Sequence, residues 1–195
     1  YMHLIDHGRN YVEKNFQRPF FDRIIRDALS KILPNSKLFK LMSYLVKLGK
    51  PFQIFLPSKL KNMMKLMPSS FPKKTLKEKK IYRAKLKKPI ARVALLTGCV
   101  QKELSPQINE STIRLLNRHG VEVIVPKKIQ CCGSLSHHLG KQDLAHKDFI
   151  NNINIWYDEY LKGNLDAILS NTSGCGTTLK DYGFIFRNNK ELKKK

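Results

Sequence analysis

Arg92-Val93-Ala94-Leu95-Leu96-Thr97-Gly98-Cys99 is the stretch that decides the fold. Residues 92–97 form a nearly continuous apolar run. Such a run is expected for a strand covered on both faces, the condition of strands in parallel sheets. Going outward, Pro106 to His119 carries Ile108, Thr112, Leu115 and Leu116 at helical spacing and ends at Gly120. Val121-Glu122-Val123-Ile124-Val125 reads as a second strand stopped by Pro126. A long helix is expected from about Lys141 to Lys162, with Leu144, Phe149, Ile153 and Trp156 in its stripe. Asp166-Ala167-Ile168-Leu169-Ser170 reads as a third strand, and Ser173 to Tyr182 opens a further helix. Alternation of strand and helix implies parallel strands, right-handed crossovers and helices on both faces.

The part before this unit differs in character. The chain has 195 residues, with 37 Lys+Arg against 15 Asp+Glu, so its formal charge is 37 − 15 = +22. Residues 1–90 hold 22 of the basic and 5 of the acidic side chains, and all four cysteines lie beyond them. Leu4, Ile5, Val12 and Phe16 suggest one amphipathic helix. Phe20, Phe21, Ile24, Ile25, Leu29 and Ile32 form the apolar face of a second, entered at Pro19 and stopped by Pro34. A third holds Leu38, Leu41, Met42, Leu45 and Leu48, with Asn35 or Ser36 as its cap and Gly49 and Pro51 at its end. A shorter piece near Leu60–Leu66 completes the set. Such helices must bury their apolar faces on each other, on the second part, or on another body. The expected organisation is a helical connector over 1–72, a basic linker over 73–90 marked by Pro68, Pro72 and the lysine-dense Lys73–Lys88, and a cysteine-bearing α/β domain over 91–195.

The cysteines fall on this frame in an informative way. Cys99 follows the first strand, Cys131 and Cys132 follow the second, and Cys175 follows the third. In a parallel sheet all strand C-termini share one edge, where such folds bind ligands. The four sulfurs are therefore predicted to converge. Gly98, Gly133, Gly174 and Gly176 flank them and would allow close backbone approach to a bound group. Cys175 is also expected at a helix N-terminus, which favours thiolate. A disulfide framework is disfavoured, because a vicinal bond between Cys131 and Cys132 is strained. A Cys₄ zinc site is open, although no CxxC knuckle is present. A polynuclear iron–sulfur cluster suits thiolates from distant loops better. A thiol-redox site without metal is a third reading. His137 and His138 read as capping or solvent-exposed residues, with a ligand role as the alternative.

Cys99, Cys131-Cys132-Gly133 and Cys175 together resemble the CCG cysteine-rich domain. It occurs in heterodisulfide reductase subunits, lactate-utilisation proteins and glycolate oxidase iron–sulfur subunits. The wording Leu96-Thr97-Gly98-Cys99-Val100-Gln101, Cys131-Cys132-Gly133-Ser134-Leu135-Ser136-His137-His138 and Asn171-Thr172-Ser173-Gly174-Cys175-Gly176 is most similar to the last of these, as is the basic helical segment. The resemblance implies a Rossmann-like parallel-sheet domain after an α-helical connector. It implies a metal centre held by Cys99, Cys131, Cys132 and Cys175, with Gly133 and Gly174 beside it. By family, the centre serves a glycolate (2-hydroxy acid) oxidase or dehydrogenase. FAD-bearing partner subunits oxidise the substrate, and electrons pass towards a quinone or another respiratory acceptor, in the cytoplasm or at the inner face of the cytoplasmic membrane. No catalytic acid or base is assigned to this chain.

Two departures stand out. Thr172 occupies the place of a further cysteine in the fuller family pattern. That puts a non-cubane cluster in doubt and leaves [4Fe–4S] or zinc open. The resemblance also implies ferredoxin motifs upstream and a second CCG unit downstream; with neither in this sequence, it reads as an internal segment. The positive charge is dispersed lysine without a zinc-finger, helix-turn-helix or RNA-binding signature, so nucleic acid is not the favoured ligand.

Overall fold

A computed structural model describes residues 1–49, 51, 54, 57–65, 71–73, 75 and 80–195. The expected boundary at Pro68, the end of the fourth helix at Leu66 and the lysines at 74, 77 and 79 lie outside the described residues.

The apolar runs form the sheet that their composition demands. Strands β2 (Ala91–Leu96), β3 (Val121–Ile124) and β4 (Ala167–Ser170) are parallel, in the order β3-β2-β4. Val93 pairs with Val123 on one side and Ala167 on the other, so β2 is the central strand. Its side chains alternate between two cores. Val93 and Leu95 pack with Ile113 of helix α6 (Pro106–Arg118) and Val123. Ala94 and Leu96 pack with Phe149 and Trp156 of α8 (Gln142–Gly163) and Tyr182 of α9 (Ser173–Ile185). Both faces are thus covered, as the continuous hydrophobicity of β2 requires. Gly120, at φ +80°, turns the chain from α6 into β3, and a Cβ there would meet Leu86.

A fourth strand was not legible in the sequence. Ile81–Tyr82, inside the stretch 73–90 read as linker, forms β1 and pairs antiparallel with β3 through Ile81↔Ile124 and Tyr82↔Val123. Lys80 beside it reaches Glu159 of α8 at 2.7 Å. Two residues carry no readable alternation; pairing alone makes them a strand. Two short helices also lack a sequence signal, α5 (Gln101–Leu104) and α7 (Ser134–His138).

The first part is helical: α1 (Met2–Asn15), α2 (Phe20–Ile32), α3 (Ser36–Gly49) and α4 (Ser58–Lys65). Asn35 caps α3, its Oδ1 accepting the N–H groups of Lys37 and Leu38 at 3.1 Å. The apolar faces are only partly buried within the described residues. On α1 the buried residue is Asp6, 4% exposed, whereas Leu4 and Phe16 lie in the open. On α2 and α3, Phe21 at 77% and Leu48 at 74% exposure also face outward, while Ser30, Phe39 and Ser43 are buried. The helices instead engage the α/β part through polar side chains. Arg26 Nη2 donates to Leu139 O at 2.8 Å, Lys141 pairs with Asp27, and Ser36 Oγ donates to Cys99 O at 3.3 Å.

Candidate metal centre

Each cysteine is carried to the C-terminal edge of the sheet by the strand before it. Cys99 sits in the turn after β2, made tight by Gly98 at φ +74°. Cys131 and Cys132 lie between β3 and α7, and Gly133 then adopts φ +73° as the N-cap of α7. A Cβ on Gly133 would meet Cε1 of Phe149 at 2.3 Å, so only glycine fits. Cys175 lies in the first turn of α9. Gly174 and Gly176 differ from this. Neither has a positive φ, and a Cβ on either would meet nothing within 4 Å. The close-approach role expected of Gly174 is therefore not imposed by the protein itself.

The four thiols are free and form one row. Cys99 Sγ and Cys131 Sγ are 3.4 Å apart, and Cys132 Sγ donates to Cys175 Sγ at 3.0 Å. Cys131 and Cys132 join the two pairs. The hydrogen bond with Cys131, then burial, pushes the Cys99 thiol well up. The Cys132 contact and burial hold Cys131 at about 12. At Cys132 the Cys131 contact acts downward, but its own hydrogen bond to Cys175 and burial prevail, at about 12. Cys175 receives that hydrogen bond and is held below the ordinary thiol range against the opposing effect of burial. It is the first of the row to ionise. The cause is the neighbouring thiol, rather than the helix terminus that the sequence suggests.

Two buried side chains aim the vicinal pair. Asn152, with no exposed surface, donates from Nδ2 to Cys131 O at 2.9 Å and accepts the Gln130 N–H at 2.8 Å. Tyr182 donates its hydroxyl to Cys132 O at 2.9 Å. A second hub joins the outer loops. Asn109 donates to Thr97 O at 2.8 Å and accepts from Gln101 at 3.1 Å and Asn171 at 2.9 Å. Thr172, where a further cysteine would complete the family pattern, donates to Gln101 Oε1 at 2.7 Å. Asn109 and Asn152 escape a reading by hydrophobic pattern; the one available signal is an asparagine inside an apolar helical stripe, as Asn152 is between Phe149 and Trp156.

His137 and His138 are neither caps nor, for His137, exposed. His138 Nδ1 is 2.8 Å from Asp6 Oδ1, and His137 Nε2 is 3.5 Å from Asp6 Oδ2. They fasten α1 to α7.

Among the described residues no three His, Cys, Asp or Glu side chains are grouped to hold a single metal ion. The donor set nevertheless fits an iron–sulfur cluster. It consists of four soft sulfurs at one edge, which offer one thiolate to each of several metal atoms instead of four to one.

A family model described as a cysteine-rich domain, CCG, matches residues 93–180, the segment that holds the whole row. Residues 93–180 belong to the CCG cysteine-rich domain family. Over 191 residues, 96% of its length, the chain is 33% identical to the glycolate oxidase iron–sulfur subunit of Escherichia coli, of which it covers 43%. It is 23% identical over 203 residues to the probable glycolate oxidase iron–sulfur subunit of Bacillus subtilis, covering 45% of that protein. An iron–sulfur protein of Methanococcus maripaludis is 41% identical over 92 residues, 47% of this chain and 18% of its own length. The chain thus spans less than half the length of each of these relatives. No solved structure matches it significantly. The match to the two glycolate oxidase subunits extends through the basic helices, so those helices and the CCG domain recur together.

Proposed function

We propose that this chain is part of the iron–sulfur electron-transfer subunit of a glycolate (2-hydroxy acid) oxidase complex. In this reading flavin-bearing partner subunits oxidise the hydroxy acid, and the electrons leave towards a quinone or another respiratory acceptor. One observation carries it. Four thiols that follow three separate strands meet at one sheet edge, in a chain collinear over 96% of its length with the E. coli subunit.

Cys99, Cys131, Cys132 and Cys175 are the proposed ligands of a [4Fe–4S] cluster, which supplies one-electron oxidation and reduction when bound. The protein's own part is to position and insulate. Asn152 and Tyr182 hold the carbonyls of the vicinal pair, and Phe149 and Trp156 exclude water from beneath it. Cys175, the most acidic thiol of the row, is the first to offer a thiolate. No helix among the described residues is long and apolar enough to cross a membrane. The outward apolar residues of α2 and α3 and the surrounding lysines suit a peripheral contact with flavin subunits or the inner face of the cytoplasmic membrane.

Anaerobic reconstitution with iron and sulfide tests the ligand set. The expected product is brown, binds about four iron per chain and gives an EPR signal on reduction. Cys132→Ser should lose most of the iron, and Thr172→Ala should keep it. A colourless protein with about one zinc per chain would overturn the cluster.

A further inference from the structure

A cavity of about 800 Å³ opens beside Cys99 and Cys131, at the C-terminal ends of β2 and β3. Its apolar walls include Leu95, Ile113 and Ile129. It lies outside the carboxyl ends of two parallel strands, the edge at which such sheets bind ligands.

Among the described residues the charge at this cavity is one-sided. Lys37 of α3, Lys80, Lys102 of α5, and Lys127 and Lys128 of the turn after β3 line it. Glu110 is the acid among its described lining residues, and Thr75 and Arg114 already engage that carboxylate. Lys80 is spent on Glu159 at 2.7 Å. None of the ion pairs among the described residues involves Lys37, Lys102, Lys127 or Lys128. The turn that carries two of them is built rather than loose. Lys128 holds a left-handed backbone, φ 70°, its carbonyl accepting from Asn151 at 3.0 Å, while Asn152 fixes Gln130 two residues on. A non-glycine residue keeps that conformation only where its surroundings impose it.

We infer that this cavity binds a small organic polyanion carrying phosphate or carboxylate groups, seated against the row of thiols. Four ammonium groups around low-dielectric walls focus a positive potential into the space. A neutral ring would gain nothing from them and would strip their water. The inference rests on the cavity and its lysines.

Calorimetric titration of the intact chain with pyrophosphate and with citrate, at physiological ionic strength, is the test. Saturable binding of at least one probe is expected, and the stronger probe tells phosphate from carboxylate. Lys102→Gln combined with Lys128→Gln should weaken it by about tenfold or more. Lys193→Gln combined with Lys194→Gln, an equal loss of charge outside the cavity, should leave it unchanged. The bound anion should also slow acylation of Lys102 and Lys128 but not of Lys193. No saturable binding, or equal weakening in both double variants with native circular dichroism, would overturn the site. Neither result bears on iron content, so failure here leaves the cluster reading standing.

Discussion

The buried Asp6 carboxylate on α1 lies 2.8 Å from Nδ1 of His138 on α7, across 132 residues of chain. Burial by itself pushes the Asp6 carboxyl up, but the His138 hydrogen bond, the charges of His138 and His137 and the Arg9 hydrogen bond reverse this and hold it below the usual carboxylate range. The connector therefore grips the CCG domain by a polar latch. α7 begins two residues after Cys132, which brings the latch close to the thiol row. Asp6→Ala should leave both histidines without their partner, cost about 1–3 kcal/mol and free α1. Hydrogen exchange in residues 2–15 should rise while β2 stays protected. Unchanged protection of α1 would show that the latch does not hold it.

Gly133→Ala tests the turn that follows the vicinal pair. The new methyl would need a left-handed backbone and would collide with Phe149, which is fully buried. A loss of at least about 2 kcal/mol in denaturant unfolding is expected from strain and overpacking together. Gly174→Ala, with open space around it, should cost far less; equal losses would contradict the geometry.

Asn152→Leu removes one side chain and orphans two backbone groups, Cys131 C=O and Gln130 N–H. The expected cost is about 2–4 kcal/mol, with cluster retention reduced because the pair is no longer aimed. Iron retention equal to the parent protein would remove Asn152 from the positioning role.

Asp148 supplies a pH dependence with a definite sign. Burial raises its carboxyl from 3.8 to about 6. The folded protein therefore holds a proton there that the unfolded chain releases. Its stability is undiminished below pH 4 and falls as pH rises towards 6. Asp148→Asn should stabilise the protein at pH 8, by on the order of 1 kcal/mol once partial solvent access is allowed for, and do nothing at pH 3.5. A gain of equal size at both pH values would place its origin elsewhere.

The three parallel strands and their crossover helices were legible because each is a local pattern with one solution. A run such as Val93 to Leu96 is too apolar to be anything but doubly covered. The convergence of the cysteines followed from topology, since parallel strands share an edge. The connector was legible only in part. Its helices stand where their periodicity put them, yet Leu4, Phe16, Phe21 and Leu48 point outward and Asp6 is buried. Local pattern reports which face is apolar, not which face meets a partner. Ile81–Tyr82 lacked any signal because a strand of two residues exists only through its neighbour.

By itself the sequence determined the alternating elements, the placement of each thiol after a strand, and the excess of basic charge, for these depend on residue type and spacing along the chain. Only the tertiary structure decided that His137 and His138 face Asp6, that Asn109 and Asn152 tie the loops, and that four lysines with no carboxylate partner among the described residues line one cavity. Each of these is a meeting of polar groups from distant segments. Hydrogen bonds and charges act over a few ångströms of space, and no periodicity in the chain records which of them will be neighbours.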